Sequence, residues 1–416
     1  MASFSGLLGL LVFCLIAFTL SENRRRIEWR IVGWSLGLQL IVAVLVLGIP
    51  RLGIGGPFHF VFEFLNDFFI QFLSYSDAGA RFVFGDLADE KKAAGFIFAF
   101  RVLPTIIFFS TIVAVSYYLG ILQKIVYGMA WVMKKLMPVG GAESLSTAAN
   151  IFLGQTEAPL LIKPYLLGMS RSELLCIMIG GMANVAGGVM AAYVAMLHSR
   201  FPDIAGHLLT VSIMSAPATL LISKIMLPET EKNFKKDKLE WKVEKIDSNF
   251  VEAATRGASE GLSLALNVAA MLIAFIALVY LANGFLGFVG SFFGLQVTLQ
   301  SIFGWLFAPV AWLLGAPVNE ITQLGRLLGE KVVLNEFVAY ASLADIASTL
   351  SDRTVLIASY ALCGFANFAS IGIQVGGIGA MAPERRADLA KLGVRALIGG
   401  NLATFVCAAM VGILCP

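Results

Sequence analysis

The sequence is poor in charge, histidine and cysteine. Only 14% of its 416 residues are Asp, Glu, Lys or Arg, against 58% hydrophobic residues. That leaves too little polar surface to clothe the two or three soluble domains this length would otherwise suggest, and a soluble enzyme is not expected. Thirty basic residues against 27 acidic ones give a net charge of +3, which is no field for holding a polyanion, so nucleic acid is not expected as a partner. The three histidines (His59, His198, His207) and five cysteines (Cys14, Cys176, Cys363, Cys407, Cys415) stand singly, without CxxC spacing. Neither a zinc site nor a disulfide framework is supported, and the cysteines read as small hydrophobes.

What the chain has is long apolar runs. A helix crosses the hydrocarbon with about 20 apolar residues, and eight stretches free of Asp, Glu, Lys and Arg qualify: 1–21, 31–50, 102–123, 174–199, 204–223, the first part of 261–319, 354–383 and 396–416. In the first, the basic residues Arg24, Arg25, Arg26 and Arg30 follow the apolar run, opposite to a secretory signal, so it reads as a span. Cytoplasmic loops retain Lys and Arg. The basic loops follow spans 1, 3, 5 and 7, with Lys134 and Lys135 after the third, Lys232, Lys235, Lys236, Lys238, Lys242 and Lys245 after the fifth, and Arg385, Arg386, Lys391 and Arg395 after the seventh. The link after span 2 fits less well, with Arg51, Arg81, Lys91, Lys92 and Arg101 among several acids. The expectation is an all-α, multi-pass membrane protein of eight spans with both termini outside. Between spans 2 and 3, residues 58–73 repeat His59, Glu63, Asp67 and Gln71 every fourth position among phenylalanines, which predicts a helix lying in the membrane interface.

Two further segments are apolar but too short to cross. One is 144–162, interrupted by Glu157; the other is 320–340, interrupted by Asn335 and Glu336. Each fits a re-entrant hairpin whose irregular tip is tolerated in the bilayer only against protein or a cavity. After the first comes Ala183-Asn184-Val185-Ala186-Gly187-Gly188 in span 4, and after the second Ala366-Asn367-Phe368-Ala369-Ser370 in span 7. The order hairpin, interrupted helix, helix thus occurs twice, and the single span between the copies turns the second upside down. Inverted repeats with broken helices are the pattern of secondary transporters, with the site where the breaks converge.

Glu157 and Glu336 are expensive at membrane depth and need partners or a function. Each could cap a half-helix or pair with Lys163 or Lys331; Gln155, Thr156, Asn367 and Ser370 could satisfy loose backbone or bond between helices. Lys331 and Arg326 are expected to snorkel to the interface. Carboxylates accept only, whereas Gln and Asn donate and accept, a combination compatible with a sugar bearing a heterocyclic base.

Three segments together, Gly154-Gln155-Thr156-Glu157-Ala158-Pro159-Leu160, Asn335-Glu336-Phe337-Val338-Ala339 and Cys363-Gly364-Phe365-Ala366-Asn367-Phe368-Ala369-Ser370-Ile371-Gly372, closely resemble the signatures of the concentrative nucleoside transporters. The resemblance covers nearly the whole chain. It implies a homotrimer in the bacterial inner membrane, importing nucleosides with a coupling cation. The scaffold would occupy 1–135 and, with a linker and an external helix, 231–318; the two halves of a mobile transport domain would occupy 136–230 and 319–416. By motif, Gln155, Thr156 and Glu157 would bind the base, Glu336, Asn367 and Ser370 the ribose, and Val189 and Phe365 would pack on the nucleoside. A sodium ion would be held by the side chains of Asn150 and Asn184 and the carbonyls of Leu153 and Val185. Asn184 stands where sodium-coupled members commonly carry serine, and Asn150 where proton-coupled members carry a hydroxyl residue. A proton-coupled symporter is the alternative. An intramembrane enzyme would need paired Asp clusters or a nucleophile with a base, and the apolar spans offer neither; a channel would want a ring of carbonyls or like charges and has no need of an occluding inverted repeat.

Overall fold

The computed structural model describes residues 2–48, 55–57, 59–89, 97–231 and 247–415, and their regular structure is all helical. Phe58, Arg51, Lys91, Lys92 and the six lysines from Lys232 to Lys245 lie outside the described residues.

The N-terminal part comprises α1 (Ala2–Thr19), α2 (Trp29–Leu47), α3 (His59–Phe84), α4 (Phe98–Tyr118) and α5 (Ile121–Leu136). The helix expected over 58–73 is longer, 26 residues, because a second stripe runs the length of α3. Phe62, Asn66, Phe69, Leu73, Ser76 and Ala80, spaced alternately four and three apart, are buried, while Glu63, Asp67 and Gln71 are exposed. Asn66 pins the stripe by accepting from Gly206 N at 3.1 Å and donating to Pro202 O at 3.3 Å. α5 was not foreseen. Gly120, at φ 75°, breaks the run after α4, and the chain resumes as an amphipathic helix that buries Leu122, Val126, Ala130 and Met133 and carries Lys134 and Lys135 in its last turn.

The next unit is α6 (Gly141–Ala149), a tip over Asn150 to Glu157, and a 3-10 helix (Ala158–Gly168). It is followed by α7 (Arg171–Ala183), a three-residue break, α8 (Gly187–Leu197) and α9 (Ile204–Met226). Then come α10 (Phe250–Ser291) and α11 (Leu299–Leu313). The first pattern returns as α12 (Ile321–Val333), a tip at Leu334 and Asn335, α13 (Glu336–Ile346), α14 (Asp352–Leu362), a break over Cys363 to Asn367, α15 (Phe368–Met381) and α16 (Arg386–Leu414). Within the interrupted units four helices start on a polar cap, Ser170 for α7, Asn335 for α13, Ser351 for α14 and Asn367 for α15, each side chain accepting from a backbone N–H three residues on.

Among the described residues, six segments are long and apolar enough to cross a membrane: Trp29–Leu47, Phe98–Tyr118, Arg171–Leu197, Ile204–Met226, Phe250–Ser291 and Pro383–Leu414. They fall into two groups. The windows in Arg171–Leu197, Ile204–Met226 and Pro383–Leu414 are each 89% buried, whereas those in α2, α4 and α10 are 22, 28 and 17% buried. α7, α8, α9, α14 and α16 therefore make the core, with the buried run from Gly399 to Gly412 of α16 at its centre. A buried ion pair, Lys224 Nζ to Glu143 Oε2 at 2.6 Å, ties α9 to the start of α6, and Glu143 Oε1 accepts from Gly140 N at 2.7 Å.

α10 packs along α4 through glycines four residues apart. A Cβ on Gly257 would come within 2.7 Å of Ala114 Cβ, and one on Gly261 within 2.7 Å of Ile107 Cα. Small residues one turn apart let two backbones approach where lipid offers no hydrophobic drive to bring them together. Gly261→Leu is expected to destabilise the fold by about 1–3 kcal/mol through overpacking, read as a lower melting temperature in detergent. Gly284→Leu in the same helix, where a Cβ meets nothing within 4 Å, should leave it unchanged.

Candidate functional site

The two breaks meet. Phe365 N donates to Asn184 O at 3.3 Å, joining the interruption between α14 and α15 to the one between α7 and α8. The approach depends on Gly364, whose φ is 142° and on which a Cβ would lie 2.7 Å from Met182 O. No L side chain suits both the conformation and the space.

From this crossing one chain of buried polar groups runs through both halves. Glu336, the first residue of α13, accepts from Asn367 Nδ2 at 2.8 Å and from the Tyr193 hydroxyl at 3.4 Å. Asn367 Oδ1 caps α15 by accepting from Ser370 N at 3.0 Å. Ser370 Oγ accepts from Gln155 Nε2 at 3.3 Å, and Gln155 Oε1 accepts from Gln374 Nε2 at 3.1 Å. Gln374 Nε2 also reaches Met178 O at 3.0 Å. Glu336, Asn367, Ser370 and Gln155 are all buried, so four of the eight expected substrate residues form one connected group.

The other four are arranged differently. Val189 is buried on α8, one turn before Tyr193, and Phe365 is half-buried at the crossing. Thr156 and Glu157 stand apart: Thr156 Oγ1 donates to Glu157 Oε1 at 3.3 Å, and both line a cavity of about 440 Å³ between the tip and the helices α4, α8 and α10. Val113, Phe152, Leu160 and Leu264 give this cavity an apolar wall, while Arg256 and Glu260 stand on its α10 side.

Of the four expected ion ligands, Asn150 and Asn184 both lie against Gly180 of α7. Asn150, Leu153, Asn184 and Val185 are buried. Neither amide atom of Asn150 has a hydrogen-bond partner, nor does the hydroxyl of Thr219 or Ser146. Asn184 Nδ2 donates to Gly180 O at 3.3 Å, and its Oδ1 accepts from the Ser215 hydroxyl. Adjacent glycines of α7 seat both groups. A Cβ on Gly180 would lie 3.1 Å from Asn150 Nδ2, and one on Gly181 would lie 2.8 Å from Gln155 Cβ and 2.7 Å from Gln374 Nε2.

Gln374, Tyr193 and Ser215 were missed in the sequence. Gln374 lies four residues after Ser370, on the same helical face, and that spacing was the available signal. Lys331 is not at an interface: it is fully buried, with Nζ donating to Ala361 O and Thr404 Oγ1. Arg326 is held within α12 by Glu330 at 2.9 Å. Neither glutamate takes the lysine partner that sequence allowed; the neighbours of Glu336 are an amide and a phenol.

Three family profiles tile the chain: "Na+ dependent nucleoside transporter N-terminus" over residues 8–87, "Nucleoside recognition" over 99–200 and "Na+ dependent nucleoside transporter C-terminus" over 207–412. An uncharacterized transporter of Haemophilus influenzae is 44% identical, with 99% of this chain and 98% of that protein covered. The structure of CNTnw in an inward-facing, substrate-bound state is similar over 100% of this chain and 98% of that one, with 41% identity and a TM-score of 0.90. The chain belongs to the concentrative nucleoside transporter family. The mouse sodium/nucleoside cotransporter 1 is 39% identical over 98% of this chain, which spans 63% of that longer protein. Members of this family are membrane transporters and not enzymes.

The crossing can be tested by itself. Gly364→Ala is expected to destabilise the protein by about 1–3 kcal/mol, the order of one strained backbone site, lowering its melting temperature in detergent. Gly372→Ala, where a Cβ meets nothing within 4 Å, should not.

Proposed function

We propose that this chain is a cation-coupled nucleoside importer. The observation that carries the reading is the connected polar group at the crossing, in which acceptor-only Glu336 and the amides of Gln155, Asn367 and Gln374 are drawn from both halves of the fold. Glu336, Asn367 and Ser370 hold ribose hydroxyls, and Gln155 with Thr156 and Glu157 reads the base, with Val189 and Phe365 against the nucleoside. Gln374 orients Gln155. The 440 Å³ cavity beside Glu157 is of the size that suits a small polar molecule and is the route on that side.

Sodium is the coupling ion. The unpartnered Asn150 amide is what supports it, since a buried amide with no acceptor or donor is costly unless something else satisfies it. With Asn184 and the carbonyls of Leu153 and Val185 it makes a neutral oxygen set suited to a hard monovalent cation. The ion fastens the tip to the α7 break and so forms the base site beside it.

The wider architecture follows the same reading. Eight spans and two re-entrant hairpins form an inverted repeat, in a bacterial inner membrane with both termini periplasmic; α3 lies along the interface. Residues 1–135 and 231–318 are a scaffold, and 136–230 with 319–416 move against it in alternating access. The buried core and lipid-exposed flanks of the two helix groups support that division. The exposed apolar faces of α10 and α11, with Ile273, Tyr280, Phe285 and Trp305, are compatible with lipid and with the neighbouring copies of a homotrimer.

Glu336→Gln is expected to abolish uridine uptake while expression stays normal, because the amide loses the charge that roughly doubles each hydroxyl hydrogen bond. Uptake equal to wild type would remove Glu336 from the ribose site. For the ion, calorimetry of uridine binding in sodium and in choline at fixed pH should give tighter binding in sodium. By linkage, uridine should tighten sodium by the same factor, and Asn150→Ser should shrink both effects. Equal affinity in the two salts, with uptake following an imposed pH gradient, would establish the proton-coupled alternative instead.

A further inference from the structure

In the first half of the fold, the end of the hairpin helix α6, the C-terminal turn of broken α7 and the middle of α9 converge around Asn150, Asn184, Ser215 and Thr219. In the second half the corresponding elements are the end of α12, the C-terminal turn of broken α14 and the middle of α16. A lysine side chain fills that junction. Lys331, two residues before the end of α12, is fully buried. Its Nζ donates at 2.7 Å to the carbonyl of Ala361, the next-to-last residue of α14, and at 2.9 Å to Thr404 Oγ1 of α16. The ring of Phe405 lies below it, 5.6 Å from Nζ to the centroid.

Both acceptors are neutral. An ammonium at this point meets oxygens, the negative end of a half-helix and an aromatic face, which is how a small bound cation is held. A buried ammonium is unfavourable beside an apolar side chain of equal volume, so packing alone does not account for a lysine here. We propose that Lys331 is a tethered cation, its ammonium standing in the second half where the first half takes an exchangeable ion. Resting on the transport reading above, the proposal explains how the two halves share a design but differ in behaviour. The lysine fixes α12, α14 and α16 to one another permanently, so Glu336 and Asn367, which follow the ends of α12 and α14, are set before any ion arrives. Gln155, after α6, waits for one. Lys331 is thus a positioning residue that does not touch the nucleoside.

The test is chemical rescue. Lys331→Ala removes everything beyond Cβ, and n-propylammonium has the size and charge of what is removed. The melting temperature of Lys331→Ala in detergent should rise with n-propylammonium and not with n-propanol, while wild type responds to neither. This readout needs no nucleoside, so it separates failure of the tethered cation from failure of the transport reading, which would show as wild type that binds no uridine. In calorimetry Lys331→Met, of similar length without charge, should lose uridine affinity by at least about tenfold, the order of one hydrogen bond to a charged group. n-Propylammonium should restore affinity to Lys331→Ala but not to Lys331→Met, where the space is filled. Uridine affinity of Lys331→Met equal to wild type, or Lys331→Ala indifferent to the ammonium, would overturn the proposal. Should Lys331→Ala not assemble, Thr404→Val removes one acceptor and keeps the cation; it is expected to weaken uridine binding, and wild-type affinity would count against the proposal.

Discussion

A helix that stops inside a bilayer leaves carbonyls at one end and amides at the next start with no water to satisfy them, and everything at the centre of this fold answers that demand. The chain stops twice, after Ala183 and after Leu362, and resumes at Gly187 and Phe368. It meets the requirement by crossing the stops: Phe365 N takes Asn184 O, Gly187 N takes Phe152 O, Asn367 caps α15, and Asn401 of α16 donates to Ala366 O at 3.0 Å. One group proposed to hold substrate also repairs the backbone. Asn367 caps α15 with its oxygen and presents its nitrogen to Glu336, so one side chain serves stability and recognition together.

That economy divides the molecule. The helices that contain or enclose the breaks are buried by one another, whereas α2, α4 and α10 spend most of their surface outside the chain. At 1.5 Å per residue the 42 residues of α10 run about 63 Å, roughly twice the hydrocarbon thickness, so α10 leans or projects well beyond it. It meets α4 along a strip of glycines, and the cavity beside Glu157 lies between this pair and the first tip.

Much of this was legible in the sequence because membrane burial makes composition a strong signal. The spans appear as runs without charge, the breaks as Asn in the middle of an apolar run, and the tips as acids where no acid is cheap. Of the site, Gln155, Glu336, Asn367 and Ser370 are named by the family motifs and are joined in space. What escaped carried at most a faint local signal, such as the spacing of Gln374 from Ser370. Gln374 and Tyr193 are single polar groups in apolar helices, unremarkable until their partners from distant segments are known. α5 was read as a loop because hydropathy sees charge at Lys134 and Lys135 but not the stripe from Leu122 to Met133. Lys331 was misplaced for the opposite reason: a long cationic side chain near a helix end ordinarily escapes to water, and only the tertiary fold shows three buried partners waiting for it.

The pair Gly180 and Gly181 carries a consequence for signalling. Successive residues of a helix point about 100° apart, so these two bare positions open on different sides of α7, one toward Asn150 and the other toward Gln155. On the proposed assignment the ion and the base are read from the two flanks of a single peptide unit. Information then has no relay to traverse and no lever to swing; its path is one residue long. Coupling of that kind should persist through large changes in distant loops and fail on the addition of a methyl group at one position.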